Sequence, residues 1–435
     1  MDPLSIKIYT SDNVPRLRYI AGIVLGDILG LSWEVITDRR KLGKHPVINY
    51  STAAVKDSFK INPVSLLYET GTSKQNIVMG EWKNLPVFFQ TPPDSDIPFD
   101  IFAASFFLIT RYEEYLEFQP DEYGRFMSSS SLACKNGFLD KPVIDLWTKE
   151  FSRVLLKKYP TLAFRRNEYN ALLTIDTDQP FAFLGKNIVS SVGGLLRDFT
   201  LKTGNAGSRY SVVARGKKDP YEVYDYITEN IEKHKADTRF FFSVGDHSKY
   251  DKNPSWKNEE YRNLINRIAA KYLTGLHPSF YASQSSSVIG TELSRLKSIV
   301  AKEIMISRFH FIRISFPSSY RYLLKEGITE DHSMGYPDEP GFRAGIARPF
   351  YFYDVSEDHQ TNLRIVPFQV MDGTLFQYKN LVPGAAKEIV FKIINETRKA
   401  GGLFVSIWHN TSLLDNQEWS GWRELFESML QYQKA

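Results

Sequence analysis

Leu172-Leu173-Thr174-Ile175-Asp176-Thr177-Asp178-Gln179-Pro180 is the stretch on which the reading of the chain turns. Leu172 to Ile175 form a short apolar, partly β-branched run of strand character. Two carboxylates follow, one residue apart, and a proline closes the segment. If the backbone stays extended, residues two apart point the same way, so both acids emerge on one side. Like charges that close repel unless a cation lies between them or one stays protonated. The pair is therefore a candidate metal and acid–base site. The competing reading is ordinary turn chemistry, in which Asp at a strand end caps the backbone. What the rest of the chain brings to the same place decides between them.

From Ala171 onward strand-like runs at 238–244, 272–276, 305–314, 363–370 and 402–408 alternate with helix-like runs at 221–235, 258–271, 290–301, 318–326 and 385–400. Such alternation predicts a mostly parallel sheet or barrel. In those folds reactive groups gather at strand ends. The ends here carry Asp176 and Asp178, then Gly245-Asp246-His247, then His277, then Arg308 and His310, then His409. The chain has only 8 His. One histidine at a strand end is usually a satisfied structural residue. An Asp-x-Asp pair with His at several ends suits Zn²⁺ and related divalent ions.

Residues 1–165 read as a separate, smaller α/β domain, joined through a linker at 161–170 to a second domain at 171–435. Strand-like runs at 32–37, 46–49, 59–61, 64–68 and 85–89 accompany helices at 16–29, 100–118 and 143–159. Arg111-Tyr112-Glu113-Glu114-Tyr115 reads as a solvated, salt-bridged helix face. The 435-residue chain is 43% hydrophobic and 24% charged, ordinary for a globular protein. A formal charge of +4 implies neither nucleic acid nor an anionic membrane as partner. The single Cys134 excludes an internal disulfide and a four-cysteine zinc site. The apolar run 19–31 holds Gly22, Gly26 and Gly30 at the spacing of packed membrane helices. It is too short for a span and contains Asp27, so it predicts a buried or amphipathic helix instead. Residues 1–7 lack the apolar core of a secretory signal, which makes the cytoplasm the expected location.

With these residues in view, 171–435 resembles the polysaccharide deacetylases, the metal-dependent sugar N-deacetylases of carbohydrate esterase family four. Five segments match in order: Thr174-Ile175-Asp176-Thr177-Asp178, Phe240-Phe241-Phe242-Ser243-Val244-Gly245, Gly275-Leu276-His277-Pro278-Ser279-Phe280, Ser307-Arg308-Phe309-His310-Phe311, and Ile407-Trp408-His409. The resemblance implies a distorted (β/α) barrel, with 1–165 similar to the partner domain that precedes some bacterial deacetylase domains. It implies Asp176 as general base, Asp178 and His277 as metal ligands, His409 as general acid, and Arg308 as the group that keeps Asp176 ionised and oriented. The cofactor would be a divalent metal, zinc before others, and the substrate an N-acetylated, or O-acetylated, sugar of a bacterial polysaccharide or its precursor.

Two departures bear on this. The family places a second histidine four residues after the first, where this chain has Tyr281, and the arginine segment lacks the family's prolines. His310 is the candidate third ligand, since two residues apart in a strand would put it on the side of Arg308. His332 and His247 stand behind it. Asp331 and Arg343, in a Gly-broken polar segment, are candidates for touching the sugar or an anionic group on it, and a salt-bridged surface turn is the other reading. Trp408 is a candidate for stacking on a sugar face, against the alternative of core packing. Two other functions remain open at this level. One is a non-catalytic glycan-binding or assembly protein on a degenerate deacetylase fold. The other is an amidase acting on a non-sugar amide, because fold does not settle substrate.

Overall fold

The structure is a computed structural model and describes residues 5–184, 212, 219–414 and 416–434. The first four residues of the stretch read for a signal lie outside these. Among the described residues no helix is long and apolar enough to cross a membrane.

The N-terminal part is built on four parallel strands, β1 (Ser5–Tyr9), β2 (Ser32–Ile36), β3 (Val47–Asn49) and β4 (Phe59–Lys60), in the order β2-β1-β3-β4. The apolar run after β1 is helical, first α-helix Pro15–Ala21 and then a π-helical segment Gly22–Ile28, with Ile20, Val24 and Leu25 fully buried. Its glycine row serves a side chain, not a second helix. A Cβ on Gly26 would lie 3.3 Å from Trp33 Nε1 and one on Gly22 3.5 Å from the same indole. A short hairpin of β5 (Gly80–Trp82) and β6 (Leu85–Val87) follows.

Two expectations change here. The run at 64–68 is not a strand but a single turn, Ser65–Leu67. The Val64 amide is taken by the Asp100 carboxylate at 2.9 Å, which leaves it none to donate to a strand partner. The helix expected at 100–118 is Ile101–Ile109, and it stops because Arg111 adopts a left-handed backbone (φ 55°). Arg111 and Glu114 are buried, so Arg111–Tyr115 is not a solvated face.

The C-terminal part carries a nine-stranded sheet that curls into an incomplete (β/α) barrel. Its strands are β7 (Asn170–Thr177), β8 (Thr238–Phe242), β9 (Leu273–Leu276), β10 (Ile306–Ser307), β11 (Glu330–Asp331), β12 (Phe350–Asp354), β13 (His359–Ile365), β14 (Val370–Met371) and β15 (Leu403–His409). Their order is β12-β13-β11-β10-β9-β8-β7-β15-β14, and every pairing is parallel except the β12–β13 hairpin. Crossover helices include Tyr224–His234, Glu259–Ala269, Ser286–Val300, Ser318–Lys325 and Pro383–Ala400. The strand runs are buried on both faces, as Leu172, Leu173, Phe240, Phe241, Phe242, Phe404 and Val405 show. The expected α/β architecture, a barrel preceded by a smaller α/β region, is present.

The two parts share one hydrophobic core. Phe106 meets Tyr353 edge-on at 5.3 Å, and the buried Arg16 reaches Asp358 at 2.7 Å. Glu114 is sandwiched between Arg111 (2.7 Å) and Arg343 (3.0 Å), all three buried.

Candidate metal and acid–base centre

Register brings the candidate residues together. In the β7–β15 pairing Asp176 lies opposite His409, and in β9–β10 Leu276 lies opposite Ser307, so His277 and Arg308 leave adjacent strands side by side. The shared mouth is a cavity of about 270 Å³ lined by Asp176, Asp178, His277, His310, Asp372 and His409 among others.

Asp178 is the centre of the cluster. Its Oδ1 is 3.0 Å from His277 Nε2, and its Oδ2 is 3.4 Å from His310 Nε2 and 3.6 Å from His409 Nε2. Donor atoms of Asp178, His277 and His310 all lie within 4.8 Å of one another. The tautomers matter. His277 Nδ1–H donates to the Arg308 carbonyl at 2.6 Å, and a carbonyl can only accept, so in the neutral ring Nε2 carries the lone pair. That lone pair faces a carboxylate oxygen, and neither His277 Nε2 nor Asp178 Oδ1, both buried, has a hydrogen-bond partner. Two acceptors at 3.0 Å repel unless a cation sits with them. His310 follows the same pattern, its Nδ1–H donating to Asp251 Oδ1 at 2.9 Å and its Nε2 left toward Asp178. A carboxylate behind the imidazole is the usual outer support of a metal-ligating histidine. The donor set of one carboxylate and two imidazoles fits a divalent ion such as zinc. Without an ion, a proton fills the same role. Burial opposes charge on His310, but Asp178 and Asp251 outweigh it and raise its pKa to about 9. Burial likewise pushes the Asp178 carboxyl up, and His310 and His277 more than reverse this, holding it well below its usual value.

Around this set stand the acid–base groups. Asp176, fully buried, accepts from Arg308 Nη1 at 2.8 Å, and the same nitrogen reaches Thr174 Oγ1 at 2.7 Å. The Arg308 guanidinium lies over the Phe241 ring, 4.6 Å from its centroid. His409 Nδ1–H donates to Asp372 Oδ1 at 2.7 Å, while Asp372 Oδ2 accepts the His409 amide at 2.7 Å and the Ser412 hydroxyl. Burial disfavours the imidazolium, yet Asp372, Asp178 and Asp176 raise the His409 pKa to about 10.

Asp176, Asp178, His277, Arg308, His310 and His409 thus converge. The reason first given for His310 does not hold, because β10 ends at Ser307 and His310 opens a short turn, His310–Ile312. Asp331, Arg343 and Trp408, expected at the substrate, lie elsewhere. Asp331 accepts from Ser307 and Ser333 and is wholly buried, its carboxyl raised by that burial to about 6. Arg343 is paired with Glu114, and Trp408 packs on Phe426 with centroids 5.0 Å apart and no exposed surface. Of the reserve ligands, His332 Nε2–H donates to the Glu330 carboxylate at 2.8 Å in the core, and His247 is exposed. Tyr281 is 50% exposed and does not line the cavity. Asp251 and Asp372 were missed. Asp372 directly follows β14, the strand beside β15, so the strand-end rule reaches it once β14 is recognised. Asp251 sits in a loop with no periodic signal.

A family model described as a family of unknown function (DUF7033) matches residues 6–160. No curated protein matches the chain. Among solved structures, a Mycobacterium smegmatis protein assigned as a polysaccharide deacetylase is 15% identical, with a TM-score of 0.40 over 61% of this chain and 84% of that one. A polysaccharide deacetylase from Bacillus cereus is 13% identical, with a TM-score of 0.29 over 61% and 88%. A carbohydrate esterase family four pseudoenzyme from Bacillus anthracis is 14% identical, with a TM-score of 0.29 over 62% of each chain. Likeness at this level does not settle chemistry, which has to come from the side chains of this chain.

Proposed function

We propose that the protein is a metal-dependent hydrolase that removes acetyl groups from N-acetylated sugars of a bacterial polysaccharide or its precursor. The observation that carries this is the facing of His277 Nε2 and Asp178 Oδ1, two buried acceptors 3.0 Å apart, with His310 beside them. Asp178, His277 and His310 would hold the ion, most simply zinc. Bound there, a divalent ion supplies Lewis-acid activation of a water and of the acetamide carbonyl. Asp176 takes the proton from the attacking water, and Arg308 aims it through a charge-assisted hydrogen bond. His409, held by Asp372 with Nε2 toward the cavity, gives its proton to the leaving amine, so the amine departs neutral and acetate is released. Phe309 and Met371 add apolar surface to the cavity lining, and apolar surroundings strengthen charge interactions.

The test begins with elemental analysis of wild type and His277→Ala. About one divalent ion per chain in the wild type, lost in the variant, and acetate release from N-acetylated sugars support the proposal. No ion in either, after zinc is supplied, ends it and leaves a glycan-binding role on this fold. An ion with turnover only of non-sugar amides would move the substrate class to a general amidase.

A further inference from the structure

The third ligand is carried by an unusual piece of backbone. His310 opens a three-residue turn in which the next two residues, Phe311 (φ 61°) and Ile312 (φ 53°), are both left-handed. Neither is glycine, and the left-handed region is strained for an L side chain, more so for a β-branched one. A turn of this kind persists only when its surroundings hold it.

The barrel supplies part of this hold, since the Pro278 carbonyl accepts the His310 amide at 3.1 Å and Phe311 packs on Tyr250 and Phe280, and the N-terminal part supplies the rest. Arg125, 3% exposed, donates from Nη1 to the Phe311 carbonyl at 2.8 Å. Its other nitrogens reach Asp121 Oδ2 at 2.8 Å and Tyr378 Oη at 2.9 Å. Asp121 in turn caps the amides of Tyr123 (2.9 Å) and Arg125 (2.8 Å), which makes the loop rigid. From the other side Arg313, just past the turn, donates from Nε to the Tyr123 carbonyl at 2.7 Å. The Tyr123 ring lies 5.1 Å from the Phe311 ring. The turn is therefore bracketed on both sides by one loop, residues 121–125, and Arg125 itself lines the cavity.

We propose that Arg125 is a positioning residue for the metal site, acting through the Phe311 carbonyl to hold His310 where it can ligate, so that the N-terminal part completes the centre of the C-terminal part. This rests on the metal-site reading above.

The experiment is zinc affinity by competition with a chelator, on the full chain, for wild type, Arg125→Ala, His310→Ala and the double variant. Arg125→Ala should weaken zinc roughly 10–100-fold, the range seen when an outer support of a ligand is lost. In the His310→Ala background the same change should do almost nothing, because its effect passes through His310. Equal weakening in both backgrounds, or none in either, overturns the proposal while leaving the metal site standing. Absence of zinc binding in the wild type overturns the metal reading itself, and the proposal with it. If Arg125→Ala fails to fold, Arg313→Ala enters the same cycle, since it severs the Tyr123 link and leaves Arg125 in place. Non-additivity with His310→Ala supports the clamp, and additivity overturns it.

Discussion

At the scale of single residues, the division of labour between the two acids follows from their neighbours. Asp176 has a guanidinium at 2.8 Å and Asp178 has imidazoles, which is why one suits proton transfer and the other ligation. Asp176→Asn should lower acetate release by a factor on the order of 10²–10⁴ while zinc content stays near wild type. Loss of zinc in that variant would show that the two roles are reversed. Asp372→Asn tests the acid. Its carboxylate is the foremost charge raising the His409 pKa to about 10, so its removal lowers that pKa. The acid must be protonated to act, and the alkaline limb of the pH–rate profile should therefore move to lower pH. A profile with an unmoved alkaline limb takes His409 out of the acid's role.

At the scale of elements, the strand ends were legible because β7, β8 and β15 are buried on both faces and so appear as continuous apolar runs. β10 and β14 were read with the wrong bounds, the first drawn out to 305–314 and the second run together with β13 as 363–370, because two residues each leave no pattern to mark their ends. The run at 363–370 stops two residues short of Asp372 and so hid it, and the run at 305–314 carries the strand past Ser307, which gave a wrong route to a right residue in His310. Arg111 and Glu114 were misread for a different reason. Helical charge spacing looks the same whether the face meets water or another part of the chain, and only tertiary packing distinguishes them. Trp408 was ambiguous in the same way, and β15 settles it by turning the indole toward Trp422 and Phe426. Trp408→Ala should cost about 3–5 kcal/mol in denaturant unfolding. The KM for an acetylated sugar should hold constant if the indole makes no sugar contact, and a large rise would return it to the substrate.

At the scale of the whole molecule, the joint between the parts rests on Glu114. Burial pushes its carboxyl up, but Arg343 and Arg111 outweigh this and hold it below the usual value. Glu114→Ala strands two buried guanidinium groups and should cost about 3–5 kcal/mol, read as a lower denaturation midpoint. Because the folded pKa lies below the unfolded one, the contribution is fully present above about pH 4.3 and fades as pH falls through the folded value. The variant should therefore lose less stability to acid than the wild type does. Equal acid sensitivity in the two proteins would mean that Glu114 does not titrate across unfolding.

The joint also bears on portability. Arg343, Arg348 and Asp358 in the barrel are answered by Glu114, Asp145 and Arg16, all more than 180 residues away in sequence. A barrel excised at residue 166 would surrender each of those counter-charges at once, along with the bond to the Phe311 carbonyl. The C-terminal part is thus not a cassette that can be cut out, swapped or fused unchanged. Engineers who wish to transplant its chemistry must carry the first 160 residues with it or redesign the whole exposed seam.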